Sequence, residues 1–420
     1  MRFSSINLVN YKPVVRQYLT DRKLGLLLWR RSPLNQALLS NDDFSTYPAR
    51  GRTRNAAEHH HLIYAVALTT LTLAAWLFAS IAATAQQGER RRQWIERFKE
   101  RAAQSGPPSM RIPMTWIDAA RLSSGAPLPA GDYARRLTCG DQPRWYEIHV
   151  PPTYKPGTPM PVVLLFHGGG GNPDQNRFEA CIDDSANRHG FIAIIPAGTG
   201  QLADDKLLTW NCRICCGSAQ KNNIDDVGFV RSLLADAGNL FSIDQNRIFA
   251  TGLSNGALMS YMLASFMPDR IAAIAPIAAI LPPQSDSAAK PVPIMHFHGL
   301  LDDRAPYKGG VGVHSIANTE FPGVRTTMSK WLTYNRCPQK PTTTKKQGHA
   351  LIETYKPAAG GAEIVLCTLE DGGHTWPGGR LVPASVKLNL GKINTDISAN
   401  DAMWEFFQRH PLPSTPAKEK

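Results

Sequence analysis

The chain has 420 residues, of which 43% are hydrophobic and 19% charged, and it shows no glycine or heptad period, so generic disorder, collagen and coiled coil are excluded. The net charge is +12, but residues 1–110 hold 16 Lys and Arg against 7 Asp and Glu, while residues 111–420 hold 30 against 27. The larger part of the chain is therefore nearly neutral, lacks the basic face that nucleic-acid binding needs, and predicts no nucleic-acid partner.

The first 85 residues predict a targeting segment. Residues 1–61 form a basic, polar N-terminal extension, and residues 62–85 form an uncharged apolar run that is long enough to span a bilayer. The run ends in Ala83-Thr84-Ala85, the small-x-small pattern of signal-peptidase sites. It is interpreted either as a cleaved signal peptide or as an uncleaved anchor. We expect a secreted or periplasmic protein, or a membrane-anchored one with an exported domain, and membrane contact through 62–85 only.

Composition separates one large domain from its flanks. Residues 86–135 begin with a charged stretch and continue with Pro, Gly and Ser, which is typical of a linker. Residues 411–420 are predicted to be a flexible tail. Residues 136–410 remain between them and suffice for one α/β domain.

Within this domain, strand-like and helix-like patterns alternate. Continuous apolar runs predict strands that are buried on both faces, and segment 144–150 alternates as an early strand does. The predicted strands are 144–150, 162–166, 191–196, 247–252, 271–278, 293–297 and 364–369, and the predicted helices are 225–241, 257–267 and 400–409. Strands that alternate with helices predict the α/β class with a mostly parallel, doubly wound sheet.

All seven cysteines follow the apolar run, which suits an oxidising compartment. Cys337 and Cys367 are a candidate disulfide pair near the end of the domain. Cys212, Cys215 and Cys216 have a spacing that zinc sites also use, but no second pair of ligands follows at the spacing of a zinc finger. Disulfides are therefore favoured, and no metal site is predicted.

The segment Gly252-Leu253-Ser254-Asn255-Gly256 has the G-x-S-x-G pattern between a predicted strand and a predicted helix. In such a turn the serine side chain is raised above the sheet, and the glycines avoid crowding. The alternative interpretation is a helix start that Ser254 caps. The strand before it and the long apolar helix after it favour a nucleophile.

A serine nucleophile needs a histidine base and a carboxylate that orients the base, and in this fold class they follow in the order Ser, Asp or Glu, His. Asp302 and Asp303 both follow the predicted strand 293–297, at the edge where open α/β sheets bind ligands. His374 follows the last predicted strand, in a glycine-rich loop that can bring the imidazole towards Ser254. Asp225 and Asp226 are interpreted as helix-start residues.

A second motif, the glycine run 168–171, follows the predicted strand 162–166. A tetrahedral intermediate carries negative charge on oxygen, and backbone N–H groups without side chains can bind it. We predict Gly169 and Asn255 as the two donors of this oxyanion hole. His167, just before the run, is expected to be structural. The run lacks the G-K-S/T ending of a P-loop, which excludes that phosphate site.

Six segments together resemble the esterase family of polyhydroxybutyrate depolymerases, feruloyl esterases and acetylxylan esterases. They are HGGGGN (167–172), WN…CCG (210–217), IDDVGFV (224–230), GLSNGA (252–257), HGLLDDRAPY (298–307) and GGHTWPGG (372–379). The resemblance implies an α/β-hydrolase fold, secretion, no metal or cofactor, and the triad Ser254, Asp302 and His374. It favours Asp302 over Asp303. The family often has HGC at the oxyanion loop, where this chain has Gly169.

The expected partner is an ester substrate, either a hydroxyalkanoate oligomer or a feruloyl or acetyl ester of a plant polysaccharide. Trp210 and Trp376 have two interpretations: they line the substrate cleft, because aromatic faces suit sugars and phenolics, or they pack in the core. Two alternative functions remain. One is a peptidase that uses the same triad, and the other is a membrane-anchored, non-enzymatic binding protein on a hydrolase scaffold.

Overall fold

Eleven strands of the described residues form one mixed sheet. The computed structural model describes residues 113–118, 127–200, 207–284, 290–315, 318–383 and 388–413. The predicted extension 1–61 and the predicted signal or anchor 62–85 lie outside the described residues. In the part that is described, no helix has the length and apolar composition needed to cross a membrane.

The strands are β1 (Thr115–Ile117), β2 (Gly131–Cys139), β3 (Gln142–Val150), β4 (Met160–Phe166), β5 (Ile192–Pro196), β6 (Ile243–Leu253), β7 (Ala273–Ile277), β8 (Ile294–Gly299), β9 (Thr343–Gln347), β10 (Ala350–Tyr355) and β11 (Ile364–Leu369). Their order across the sheet is β1-β2-β3-β5-β4-β6-β7-β8-β11-β10-β9. The central strands from β5 to β11 pair in parallel. The hairpins β2–β3 and β9–β10 and the pairs β3–β5 and β10–β11 are antiparallel.

The helices are α1 (Pro173–Ala180), α2 (Ile182–His189), α3 (Gly217–Lys221), α4 (Asp226–Leu240), α5 (Asn255–Phe266), α6 (Val324–Tyr334) and α7 (Ala399–Gln408). Side-chain caps satisfy N–H groups at the starts of three of them. Asn172 caps α1, Asp225 caps α4 and Ser398 caps α7. Asp225 thus has the helix-start role that was expected, and α4 begins with the buried Asp226.

The core has two layers, one on each face of the sheet, because side chains alternate between faces along a strand. Ile364 and Leu366 of β11 pack in the layer that holds α4, α5 and α6. Val365, Cys367 and Leu369 of the same strand pack in the layer that holds α2 and α7. With both faces covered, the inner strands are apolar throughout, which explains their continuous runs.

The α/β class and the mostly parallel sheet are confirmed by the order of strands and helices in the described residues. The seven predicted strands and three predicted helices all have counterparts in the structure, with ends that differ by a few residues. The predicted linker 86–135 is different: β1 and the first five residues of β2 lie inside it and pair with each other. The sheet therefore begins before residue 136. The hairpin β9–β10 and helices α1, α2, α3 and α6 were also not predicted.

The parallel strands β4, β6, β8 and β11 end at one edge of the sheet, because parallel strands share their direction. The segments that directly follow them are 167–171, Ser254, 300–305 and 370–374. The fold thus brings together segments that are more than 200 residues apart along the chain.

The predicted disulfide between Cys337 and Cys367 is wrong. Both are free and buried, and they belong to the core layers on opposite faces of the sheet. The Cys337 thiol instead lies 3.3 Å from the carbonyl oxygen of Tyr355. The disulfide that the structure contains joins the neighbours Cys215 and Cys216.

We therefore expect five titratable thiols in unfolded protein that has not been reduced, because five of the seven cysteines are free. Thiol titration in denaturant, followed by peptide mapping, measures this. Three thiols together with a cross-linked peptide that contains Cys337 and Cys367 would contradict the two-layer arrangement of these side chains.

Candidate active site

Ser254 lies in a sharp turn between β6 and α5. Its backbone has φ 59° and ψ −118°, a conformation that non-glycine residues rarely adopt and that costs about 1–3 kcal/mol. Its N–H donates to the carbonyl oxygen of Ile277 at 2.9 Å. The hydroxyl makes no capping hydrogen bond to α5. The cap interpretation of Ser254 is therefore not supported, and its half-buried side chain is left for another role.

The flanking glycines are required by close approach to β4. A Cβ on Gly252 would lie 2.5 Å from the carbonyl oxygen of Phe166, and a Cβ on Gly256 would overlap the same oxygen. Backbone atoms cannot yield to such a contact as a flexible side chain can. The turn and the end of β4 are therefore in direct backbone contact.

Asp302 and His374 are joined by a hydrogen bond. Nδ1 of His374 lies 2.7 Å from Oδ2 of Asp302, and both side chains are buried. The other carboxylate oxygen of Asp302 accepts the N–H groups of Arg304 and Ala305, each at 2.9 Å. Burial raises the pKa of Asp302, but the charge and hydrogen bond of His374, together with His298 and the N–H of Ala305, hold that pKa below its usual value. The acid is thus ionised and oriented.

Asp303 has a different partner. Its carboxylate pairs with the exposed side chain of His314 and does not reach His374 among the described contacts. Of the two carboxylates that the sequence left open by spacing, the structure places Asp302 against the imidazole.

The glycine-rich loop that carries His374 is held along its length by the segment 390–394. The N–H of His374 donates to the carbonyl oxygen of Leu390 at 2.7 Å, and the N–H of Gly373 donates to that of Lys392 at 2.9 Å. The side chain of Asn394 donates to Asp371 at 2.7 Å. The imidazole is therefore fixed in position by these contacts, and it does not depend on a swinging loop.

Ser254 and His374 lie at the same edge of the sheet, but within the described residues no hydrogen bond joins them. The structure thus joins two members of the expected triad, Asp302 and His374, by a hydrogen bond. It places the third, Ser254, directly after β6.

The glycine loop after β4 lies against the start of α5. An added Cβ on Gly169 would be 3.6 Å from Cβ of Asn255, and one on Gly168 would be 3.6 Å from Cβ of Ser254. The N–H groups of Gly170 and Gly171 are used by the carbonyl oxygens of Leu208 and Gly168. In the described part of the chain, no backbone carbonyl accepts the N–H of Gly169 or of Asn255. Gly169 and Asn255 are therefore neighbours beside Ser254, and among the described residues neither N–H is used by a backbone carbonyl.

His167, before the glycine loop, is a structural histidine. Its Nε2 accepts the N–H of Gly198 at 3.0 Å, and its Nδ1 lies 2.8 Å from the carbonyl oxygen of Gly168. Burial lowers its pKa to about 4, so the ring is neutral at pH 7.

The two tryptophans that were considered for the cleft are buried. Trp210 is 0% exposed and donates its indole N–H to the carbonyl oxygen of His167 at 3.0 Å. Trp376 is 2% exposed and donates to the side chain of Asn400 at 3.1 Å. Side chains this buried do not line an open cleft, so the structure favours the core-packing interpretation for both.

Four exposed apolar residues near the acid were not singled out in the sequence. Leu300 and Leu301 are 44% and 64% exposed and share a turn with Asp302, while Val311 and Val313 are 45% and 84% exposed. The loop of the two valines packs back on this turn, since a Cβ on Gly312 would overlap the carbonyl oxygens of Asp303 and Arg304. The sequence signal for this exposed apolar surface was the pair of leucines in the polar turn HGLLDD, because large apolar side chains are usually buried.

Two groups of side chains have the donor types of a metal site: one is Asp132, His149 and Asp183, and the other is His349, Asp371 and Asp396. Each group already holds a basic side chain. Arg177 pairs with the acids of the first group, and Lys392 pairs with Asp371 in the second. At the cysteines considered for zinc, Cys215 and Cys216 are bonded to each other, which leaves the Cys212 thiol.

The sheet order and the strand–serine–helix turn define an α/β-hydrolase fold. Residues 145–326 match the family model described as esterase PHB depolymerase. The resemblance that the motifs predicted is therefore confirmed. Feruloyl esterase B of Piromyces equi is 28% identical over 232 residues, which are 53% of this chain and 40% of that protein. The chain thus spans less than half of this relative.

Feruloyl esterase C of Emericella nidulans is 26% identical over 282 residues, which are 64% of this chain and 89% of that protein. Among solved structures, an acetyl xylan esterase from Aspergillus awamori matches with a TM-score of 0.41 and 15% identity, over 61% of this chain and 98% of that chain. At this TM-score the match carries no functional argument. The two sequence relatives are both named feruloyl esterases.

We predict that Asp302→Asn lowers kcat for ester hydrolysis by about 10³–10⁴-fold, because the amide cannot hold the imidazole in the required tautomer. The matched control is Asp303→Asn. It should leave kcat nearly unchanged, since an exposed ion pair contributes little. Steady-state kinetics of both variants, with melting temperatures, test the assignment. A large loss in the Asp303 variant with an active Asp302 variant would reverse it.

Proposed function

We propose that this domain is a carboxylic-ester hydrolase that acts through a serine nucleophile and an acyl-enzyme. The observation that carries the proposal is the buried hydrogen bond between His374 and Asp302, at the edge where Ser254 stands in a strained turn. The family match over 145–326 and the feruloyl esterase relatives support ester cleavage. The roles of the individual residues are inferred from their geometry.

In the first half of the reaction, Nε2 of His374 takes the hydroxyl proton of Ser254 as Oγ attacks the ester carbonyl carbon. The N–H groups of Gly169 and Asn255 stabilise the negative oxygen of the tetrahedral intermediate. The intermediate collapses, the alcohol leaves with the proton from the imidazolium, and the acyl group stays on Ser254.

In the second half, His374 takes a proton from a water molecule, which attacks the acyl carbonyl. The tetrahedral intermediate collapses again, the acid is released, and the proton returns to Ser254. Asp302 stays ionised throughout and stabilises the imidazolium that forms twice. The residues of this chain are sufficient for both halves, and no step uses a cofactor or a metal.

For the substrate, we propose an ester with an apolar acyl or aryl part. Leu300, Leu301, Val311 and Val313 offer an exposed apolar surface beside the acid loop. A feruloyl or acetyl ester of a plant polysaccharide, or a hydroxyalkanoate oligomer, fits this surface and the names of the relatives. Trp210 and Trp376 have no part in this proposal because both are buried.

For location, we propose that the domain is exported. The support is the sequence of residues 62–85 and the placement of all cysteines after it. Comparing the N-terminus of the protein made with and without a signal peptidase inhibitor distinguishes a cleaved signal from an anchor.

We expect Ser254→Ala to lower hydrolysis of 4-nitrophenyl esters by about 10⁵–10⁶-fold and to abolish labelling by a fluorophosphonate probe, without loss of folding. Ser260→Ala is the matched control. It removes a buried hydroxyl from α5, and this hydroxyl donates to the carbonyl oxygen of Gly256 as its one partner among the described residues. Retained hydrolysis in the Ser254 variant would refute the nucleophile.

A substrate panel then separates the remaining functions. Ferulate esters, acetylated xylan, 3-hydroxybutyrate oligomers, short 4-nitrophenyl esters and peptides should be compared by kcat/KM. We expect the esters to be cleaved and the peptides to resist. Preferential peptide cleavage would favour the peptidase, and a folded wild type that turns over nothing would favour a binding protein.

A further inference from the structure

Behind the acid lies a chain of buried polar side chains that the reaction as described does not use. The hydroxyl of Tyr261 lies 3.1 Å from Nδ1 of His296, and Nε2 of His296 lies 3.1 Å from Nδ1 of His298. Nε2 of His298 lies 2.8 Å from the carbonyl oxygen of Ala305. We call Tyr261, His296 and His298 the histidine chain. It runs from α5, the helix of the nucleophile, across β8 to the acid turn.

The proton positions in the histidine chain follow from its last contact. A backbone carbonyl can only accept, so Nε2 of His298 carries hydrogen and donates to Ala305. Nδ1 of His298 is then a lone pair, which requires Nε2 of His296 to donate to it. Nδ1 of His296 is in turn a lone pair and accepts the hydroxyl hydrogen of Tyr261. Both rings are then neutral. The backbone of Pro276 adds a further hydrogen bond to His296, and Oδ2 of Asp302 is a second acceptor 3.5 Å from Nε2 of His298.

Burial agrees with neutral rings. His296 is 0% exposed and His298 is 2% exposed. Burial lowers the pKa of both histidines, because a charged imidazolium would lose its water. A buried histidine pair with every ring nitrogen in a hydrogen bond is therefore a fixed element of the core.

The histidine chain contacts Asp302 in two ways: through the peptide unit of Ala305, and through a close approach of His298 to the carboxylate. The N–H of Ala305 donates to Oδ1 of Asp302 at 2.9 Å, while the carbonyl oxygen of Ala305 accepts from His298 at 2.8 Å. In addition, Nε2 of His298 lies 3.5 Å from Oδ2, the same oxygen that His374 contacts. His298 thus holds both the turn that carries the acid and the side of the carboxylate that faces the base.

We propose that His298 is a positioning residue for ester hydrolysis, and that the histidine chain sets the acid turn in register with the nucleophile helix. His298 touches neither substrate nor the reacting atoms, and it acts through Asp302. The proposal rests on the proposed function, because the acid that it positions serves that reaction.

A merely structural role predicts something different. A buried histidine removed from elsewhere in the core lowers the melting temperature but leaves the geometry of Asp302 and His374 unchanged. His149 offers this comparison, since it is 8% exposed and hydrogen-bonds Asp132 and Asn187 near the other end of the sheet. Loss of His298 should instead misplace the carboxylate, and misplacement by about 1 Å can cost 10²-fold in rate.

The test compares His298→Leu, His298→Gln, Tyr261→Phe and His149→Leu in the full-length protein. We expect His298→Leu to lower kcat about 10–100-fold while KM for a 4-nitrophenyl ester changes little, because the acid acts on the chemical step. His298→Gln keeps an N–H donor near Ala305 and should recover most of this loss. Tyr261→Phe should have a smaller effect of the same kind, and His149→Leu should lower only the melting temperature.

A second measurement does not depend on turnover. The proton shared by His374 and Asp302 is expected to give a low-field ¹H NMR signal that disappears in His374→Asn. The signal should shift or broaden in His298→Leu and stay in place in His149→Leu. An unchanged kcat and an unchanged signal in His298→Leu would overturn the positioning role. A wild type that hydrolyses no ester would refute the proposed function instead, and the NMR comparison would still decide about His298.

Discussion

The site depends on a backbone contact that leaves no room for a side chain. The carbonyl oxygen of Phe166, at the end of β4, lies against Gly252 and Gly256 on either side of the nucleophile turn. This contact lets the glycine loop after β4 approach the first turn of α5, so that Gly169 lies against Asn255. A methyl group at Gly256 would have to push β4 away, and the donors would separate from the serine. The arrangement of the site thus depends first on the absence of side chains at Gly252 and Gly256.

The charge of Asp302 is the second constraint, and the partners of this carboxylate differ from those of another buried carboxylate, Asp226. Asp226 is buried in a direct ion pair with Arg144 at 2.7 Å. Asp302 has backbone N–H groups and an imidazole as partners, and the guanidinium of Arg304 turns away to the carbonyl oxygens of His314 and Leu388. Among the described residues no arginine forms a hydrogen bond to the carboxylate of Asp302, so in the proposed reaction its charge remains available to an imidazolium at His374.

The sequence could predict those parts of the structure for which a residue pattern indicates a single structural feature. Buried parallel strands are apolar throughout, so the central strands were predicted. The chain order of a triad restricts its members, and of the three predicted side chains the structure joins Asp302 to His374. Edge strands lack this pattern: β9 is fully exposed and reads TTKKQ, which suits a protected edge. Spacing along the chain could not show on which face of the sheet Cys337 and Cys367 lie, or that Trp210 is buried. Both depend on tertiary packing. The position of His298 before the acid gives no sequence signal for its contact with Asp302, because the chain order of a triad concerns the base alone.

The strained serine is held because α5 is fixed at two places. At its first residue, the side chain of Asn255 accepts the N–H of Trp210 at 2.7 Å and donates to the carbonyl oxygen of the same residue at 3.1 Å. Trp210 in turn bonds to His167 beside the glycine loop. Two turns further along, Tyr261 bonds to His296 on β8. Relaxing Ser254 to an ordinary conformation would move α5 and break contacts on both sides. The loss of these contacts opposes release of the strain, which is about 1–3 kcal/mol in one residue. The strained backbone conformation of Ser254 therefore persists.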